Sequence, residues 1–356
     1  MADSIRDPID SVVQVVTDQK KEIQKGIRQY PFALVQSGGD LTQLPVTSIY
    51  LNGLIQRLAK TAHSPFPWEI RLINDGSIDA WALPGGKIGV NYGLVLVAET
   101  GVELVSVLGH EMAHSIELHG TGRETFGALV GLAAKVIEIR ISEPEAKPRS
   151  NRIIGLGQNF LMGQYSQSNE LEAERVGVDL MVRTGFDPLG AVDMREKLAR
   201  LGARGNSVAQ KLLGTHPISR ERLAVIKSEV NRFAATGQSM SRKFVDAQTE
   251  IKTLESGLKL VTEARTAGTN DQFPKALQLI VRALKILPNA HSIWRLQAVL
   301  LVANQEPNQA VQSALKVREL NPKDPISELL LSYCYAASGD TLNATRAKKR
   351  ARSLVL

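Results

Sequence analysis

His110-Glu111-Met112-Ala113-His114 follows the apolar run Leu104-Val105-Ser106-Val107-Leu108, and the pattern predicts a helix that carries both histidines on one face. Side chains four apart on a helix stand about 5–6 Å apart at Cβ, close enough for two imidazoles to share one metal ion. Glu111, beside the first histidine, reaches a water on that ion and suits a general base. One zinc ion per chain is the expected cofactor, and peptide hydrolysis the expected chemistry. The same five-residue motif occurs on helices whose histidines are simply solvated. Here apolar residues flank the pair, and buried imidazoles without a partner are costly.

A catalytic zinc takes three protein ligands and leaves one position open. The extended metzincin spacing needs glycine at 117 and histidine at 120, where this chain has Glu117 and Gly120. Gly120 reads as the end of the helix. His119, five residues beyond His114, falls about 140° round that helix and is expected to support the site from behind, not to bind the ion. The third ligand therefore comes from a later segment. Asn169-Glu170-Leu171-Glu172-Ala173-Glu174 reads as a helix with Glu170 and Glu174 on one face. Like charges at that spacing are mildly unfavourable on an isolated helix. A metal on one carboxylate and a ligand histidine on the other would reverse the sign. A solvated acidic face is the alternative reading of the residues alone.

The hydrophobic fraction of 43% and charged fraction of 22% over 356 residues allow two or three globular domains. No apolar run approaches the roughly 18–20 residues of a membrane span, so no integral membrane segment is expected. The longest, Ala128 to Ala134, stops at Lys135. Met1-Ala2-Asp3-Ser4-Ile5 lacks the pattern of a signal peptide, which implies either a cytoplasmic protein or a leader already removed. The single cysteine, Cys334, lies in an apolar stretch and excludes an internal disulfide or a thiolate-rich metal site. The net charge of +7 arises in residues 251–356, which hold 15 basic and 8 acidic residues. The closing run Arg346, Lys348, Lys349, Arg350, Arg352 has no interleaved aromatics, so a solvated helix face is expected there and no nucleic-acid partner.

Residues 8–36 read as a helix, with Ile9, Val12, Val13, Val16, Ile23 and Ile27 at three- and four-residue steps, broken by Gly38-Gly39. A second helix spans about 45–61. Strand-like segments follow at 68–73, 78–83 and 87–92, joined through Asn74-Asp75-Gly76 and Pro84-Gly85-Gly86. A polar, Pro-containing loop at 142–152 is either a lid or a plain connection. Further on the chain repeats: Ala276, Ala310 and Ala344 are spaced by 34 residues, as are Pro288 and Pro322, and Arg282, Lys316 and Arg350. That period with a small residue at a fixed helical position marks tetratricopeptide (TPR) helix pairs, the first helix expected at 251–268. Such arrays form grooves that bind peptides or partner proteins. The expected division is a helical arm at 1–44, a metallopeptidase domain at 45–240 and a TPR domain at 250–356.

Four ordered segments carry a family resemblance: Ala80-Trp81-Ala82-Leu83-Pro84-Gly85-Gly86-Lys87-Ile88, the histidine helix, Asn169 to Glu174, and Thr215-His216-Pro217. Together they resemble the zinc peptidase family of the CAAX prenyl protease and the heat-shock protease HtpX, over roughly residues 45–230. With the repeats, the likeness is to the soluble, TPR-bearing, BepA-like members. The resemblance implies an α+β fold: a mainly helical, zincin-like (gluzincin) peptidase domain with a small sheet, then an all-α TPR array. It implies a zinc endopeptidase acting on unfolded or misassembled proteins in envelope quality control, in the periplasm. By the family's Glu-x-x-x-Asp pattern, Glu170 joins His110 and His114 on zinc. Glu174 then stands where the family has an aspartate supporting a ligand histidine. The family's upstream arginine is absent, Tyr165-Ser166-Gln167-Ser168 standing in its place. His216 would lie at the metal, either filling the open position in a latent enzyme or stabilising the oxyanion, with Arg222 supporting the site nearby. Lys87-Ile88-Gly89-Val90 would be an exposed strand edge that pairs with extended substrate. The competing expectation is a TPR adaptor or chaperone with a latent peptidase site.

Overall fold

A computed structural model of the chain describes residues 8–119, 165–206, 208–233 and 241–355. The apolar run at 128–134 and the loop at 142–152 lie outside these. The architecture is α+β and mainly helical. Helix α1 (Pro8–Gln36) and helix α2 (Pro45–Ala62) precede strands β1 (Glu69–Ile73), β2 (Ala80–Leu83) and β3 (Lys87–Asn91). These elements fall within a residue or two of the boundaries that periodicity predicts. In α2, Tyr50, Leu51, Leu54, Ile55 and Leu58 recur at helical spacing and all are buried.

The sheet order is β1-β3-β2, with β1 parallel and β2 antiparallel to β3. This corrects one expectation. Lys87, Ile88, Gly89 and Val90 lie on the central strand, and every residue of β3 is buried. Both backbone edges of β3 are used by its neighbours, so an extended substrate cannot pair there. The sequence shows a strand but not its rank in the sheet. Rank here is decided by β1, which pairs parallel to β3 across the intervening β2.

Short helix α3 (Tyr92–Val97) leads to α4 (Gly101–Ile116), which carries the histidine motif. Thr100 caps α4, its hydroxyl accepting from the Glu103 N–H at 3.3 Å. Residues 101–115 are all buried, so α4 is a core helix with no solvent face. It ends four residues before Gly120. After the gap come α5 (Gln167–Arg183), α6 (Leu189–Ala203), α7 (Gln210–Thr215) and α8 (Arg220–Val230).

The C-terminal part is helical throughout: α9 (Arg242–Thr269), α10 (Phe273–Ile286), α11 (His291–Ala303), α12 (Pro307–Leu320), α13 (Pro325–Ala337) and α14 (Thr341–Val355). Consecutive helices pack on one another, and Ala276, Ala310 and Ala344 are fully buried. Helix α9 begins at 242, not near 251, and its first third packs against α2 and α3. Phe244, Ala247 and Ile251 are buried. Gln248 donates to the carbonyls of Val95 and Ala98 at 2.9 and 2.8 Å. Glu250 caps α2, accepting from the N–H groups of Val46 and Thr47 at 3.0 and 2.7 Å. Among the described residues, one apolar cluster has members from Leu41 of the N-terminal part to Leu300 of the C-terminal helices.

Candidate metal centre

Helices α4 and α5 meet backbone to backbone at Gly109 and Gly177. A Cβ on Gly177 would lie 3.1 Å from the His110 nitrogen, and one on Gly109 3.2 Å from the Gly177 oxygen. With no side chain between them, the helices approach closely enough for Glu170 and Glu174 to reach the two histidines. His110 Nε2 and His114 Nε2 stand 3.1 Å apart. Each is 3.4 Å from the Glu170 carboxylate, His110 from Oε2 and His114 from Oε1. His216, just past the end of α7, puts Nδ1 2.8 Å from Glu170 Oε1 and 3.4 Å from His110 Nε2. Ligand atoms of His110, His114, Glu170 and His216 all lie within 4.8 Å of one another, and all four residues are buried.

The chemistry of this set fits a cation. Three imidazole nitrogens and a carboxylate converge on one point, and lone pairs so arranged repel unless a positive charge lies among them. Burial lowers the pKa of His114 and of His216, which keeps those rings neutral and able to ligate. At Glu170 burial works upward, but hydrogen bonds from His110, His114 and His216 outweigh it and hold the carboxyl well below its usual range. Glu111 supplies a second sign. Both its carboxylate oxygens are buried without a hydrogen-bond partner among the described residues. Burial pushes its carboxyl up to about 8.

Around the cluster the rings are held from outside. His110 Nδ1 faces Glu174 Oε1 at 3.5 Å. Glu174 in turn receives Arg195 on both oxygens, at 3.0 and 3.2 Å, and Arg222 Nη2 on Oε1. Burial alone would raise the Glu174 carboxyl, but the charges of Arg195 and Arg222 bring it well below its usual range. Arg222 Nη1 also reaches Glu170 Oε2 at 2.7 Å and donates to the Pro217 carbonyl at 2.8 Å, so one guanidinium ties both carboxylates to the His216 loop.

His119 is not on the helix that carries His114. Leu118, at φ 55°, turns the chain back after α4, and His119 Nδ1 comes to 2.9 Å from His114 Nδ1. Tyr165 stacks on the ring of His114, ring centroids 3.7 Å apart. Sequence reasoning missed Arg195, the Gly109–Gly177 crossing and the Tyr165 stack. Arg195 lies in Met194-Arg195-Glu196-Lys197, where nothing in the sequence marks which of the charged residues turns to the site. A glycine in the interior of each of two helices was the one usable signal for the crossing.

Comparison with known proteins agrees with this geometry. Residues 45–230 match the model of peptidase family M48. The chain is 24% identical to the beta-barrel assembly-enhancing protease of Escherichia coli K12, over 93% of this chain and 73% of that protein. It is 29% identical to the protein of the same name from Yersinia pestis, over 58% of this chain and 44% of that one. It is also 28% identical to the mitochondrial metalloendopeptidase OMA1 of Schizosaccharomyces pombe, over 59% of this chain and 62% of that one. The family match spans more than half of the chain and contains every residue of the cluster, so the chain belongs to peptidase family M48 and is a metallopeptidase.

Proposed function

We propose that this metallopeptidase is a zinc endopeptidase that cuts unfolded or misassembled proteins, with His110, His114 and Glu170 holding the ion. The observation that carries the reading is the buried convergence of those ligand atoms beside the Glu111 carboxylate, which takes no hydrogen bond from any described residue. When bound, zinc polarises the scissile carbonyl and brings the pKa of a water towards about 7. Glu111 takes the proton of the attacking water and delivers it to the leaving amine. Glu174, backed by Arg195 and Arg222, fixes the ring of His110. With β3 interior, substrate backbone pairs along β2, the edge strand beside α4, where Ser115 Oγ already donates to Leu83 O at 3.2 Å.

His216 occupies the fourth corner of the cluster, and this favours a latent resting state in which the loop bearing it must move before substrate enters. Helices α9–α14 act as three TPR pairs that recruit the substrate or a partner protein. Supporting this are the buried alanines at 34-residue spacing and the prolines two residues past the ends of α10 and α12. The arm, peptidase and TPR units correspond to 1–44, 45–240 and 250–356, with α9 bridging the last two. No described helix is long and apolar enough to cross a membrane. On this reading the protein works in the envelope of a Gram-negative bacterium, in the periplasm, and its likeness to relatives named for beta-barrel assembly supports that; a cytoplasmic protein is the alternative.

The test is Glu111→Gln. It should keep its zinc, still bind unfolded protein and lose hydrolysis by several orders of magnitude. Undiminished cleavage would end the mechanism. Binding without cleavage in the wild type as well would favour the second reading, a TPR adaptor with a latent site, for which the position of His216 is the specific support.

A further inference from the structure

The hydrogen bonds of the metal cluster continue outward to the protein surface. After the left-handed Leu118, the His119 N–H donates to the His114 carbonyl at 3.0 Å, and the turn lays one ring against the other. His119 Nδ1 is 2.9 Å from His114 Nδ1, and His119 Nε2 is 3.1 Å from Glu172 Oε2 on α5. The His119 side chain is 6% exposed and that of Glu172 53%, so the chain of contacts runs from the buried cluster to solvent. Spacing on α5 makes this possible. Residues two apart on a helix point about 200° from each other, so Glu170 enters the cluster while Glu172 passes outside it.

Tautomers follow from the geometry. Two ring nitrogens share a hydrogen bond only when one carries the hydrogen and the other a lone pair. His114 needs its Nε2 lone pair for the cluster, so its hydrogen sits on Nδ1 and His119 accepts it. A neutral His119 that accepts at Nδ1 carries its own hydrogen at Nε2, where the Glu172 carboxylate receives it. His110, by comparison, faces a carboxylate directly. An imidazole acceptor polarises its neighbour less than a carboxylate does, and the negative charge of Glu172 at the far end restores part of that effect.

We propose that His119 and Glu172 are positioning residues of the metal centre, a two-step relay that fixes the tautomer and orientation of His114. The inference rests on the assignment of His114 as a ligand. The experiment uses the full chain loaded with zinc for chelator competition, and loaded with cobalt for its visible absorption spectrum. His119→Ala should weaken zinc binding about 10–100-fold and shift the cobalt bands, as loss of an outer partner does at other metal histidines. His119→Asn puts an amide oxygen near the place of Nδ1 and should recover most of the loss. Glu172→Ala should cost less than about 10-fold, being one step further out, and Glu172→Gln, which keeps an acceptor, should fall between it and the wild type. Glu172 stands half in solvent, so its variants keep the test open even if His119→Ala does not fold. Unchanged affinity and spectrum in both alanine variants, alongside a His114→Ala protein that has lost its metal, would overturn the relay alone. Wild-type affinity in His114→Ala would remove the ligand assignment, and the relay with it.

Discussion

Replacing Phe244 by alanine removes a ring that sits at the start of α9 yet belongs to the peptidase core. The residue is 1% exposed, its ring centroid lies 6.0 Å from that of Tyr50, and it packs against the first turn of α4 at Gly101. Truncating a fully buried phenylalanine costs about 3–5 kcal/mol, a large share of the roughly 5–15 kcal/mol that holds a domain folded. At about 2–4 °C per kcal/mol for a unit of this size, the melting midpoint should fall by on the order of 10 °C. Thermal unfolding followed by circular dichroism reads the shift, and cleavage of a short peptide after brief heating reads it at the active site. Both should move together, because the ring supports the helix that carries His110. A chain ending at residue 240 should fare worse. It loses Ala247 and Ile251 from the core, the two bonds from Gln248 and the Glu250 cap on α2. A melting midpoint within about 2 °C of wild type for Phe244→Ala, or a folded, active chain ending at 240, would show that the peptidase unit closes without α9.

Three further outcomes are expected. Elemental analysis should find about one zinc per chain, lost for the most part in Glu170→Ala; full retention there would remove Glu170 from the site. His216→Ala should raise peptidase activity with little loss of zinc if the ring blocks the open position, whereas a fall of roughly 10²–10³-fold would mark it as an oxyanion donor. Gly177→Val forces a side chain against the His110 backbone, should cost about 1–3 kcal/mol or more, and should lower metal content by pushing α5 away; unchanged zinc content would mean the helices do not need that close approach.

Local features were legible from the chain because each is written in one window of sequence. The histidine helix, the arm, α2 and the three strands are set by periodicities of 3.6 and 2, and turn residues mark their ends. The M48 family was legible because four short segments must coincide in order. What failed depends on partners distant in sequence. That β3 is central follows from β1 choosing it across β2, which no residue of Lys87-Ile88-Gly89-Val90 records. Arg195 comes from α6, 21 residues beyond Glu174, and reaches both of its carboxylate oxygens. The length of α4 was misjudged because Leu118, not a glycine, takes the left-handed turn, a conformation that sequence rarely betrays for a leucine.

His216 follows His110 by 106 residues, yet both reach the same point in the fold. An ion held only by that finished arrangement works as a clip across a long loop, and by mass action it stabilises the native state by about 2.7 kcal/mol at a hundred times its dissociation constant. The histidine pair on α4, by contrast, is local and exists as soon as that helix winds. With the proposed ligand set, the chain would offer the ion two grips first during synthesis, and the others would close only when α5 docks through Gly109 and Gly177. Metal retention becomes a report on completed folding. A chain that stalls before the docking step is both less stable and chemically silent, so a protease built this way is safe to its neighbours while it is still being made.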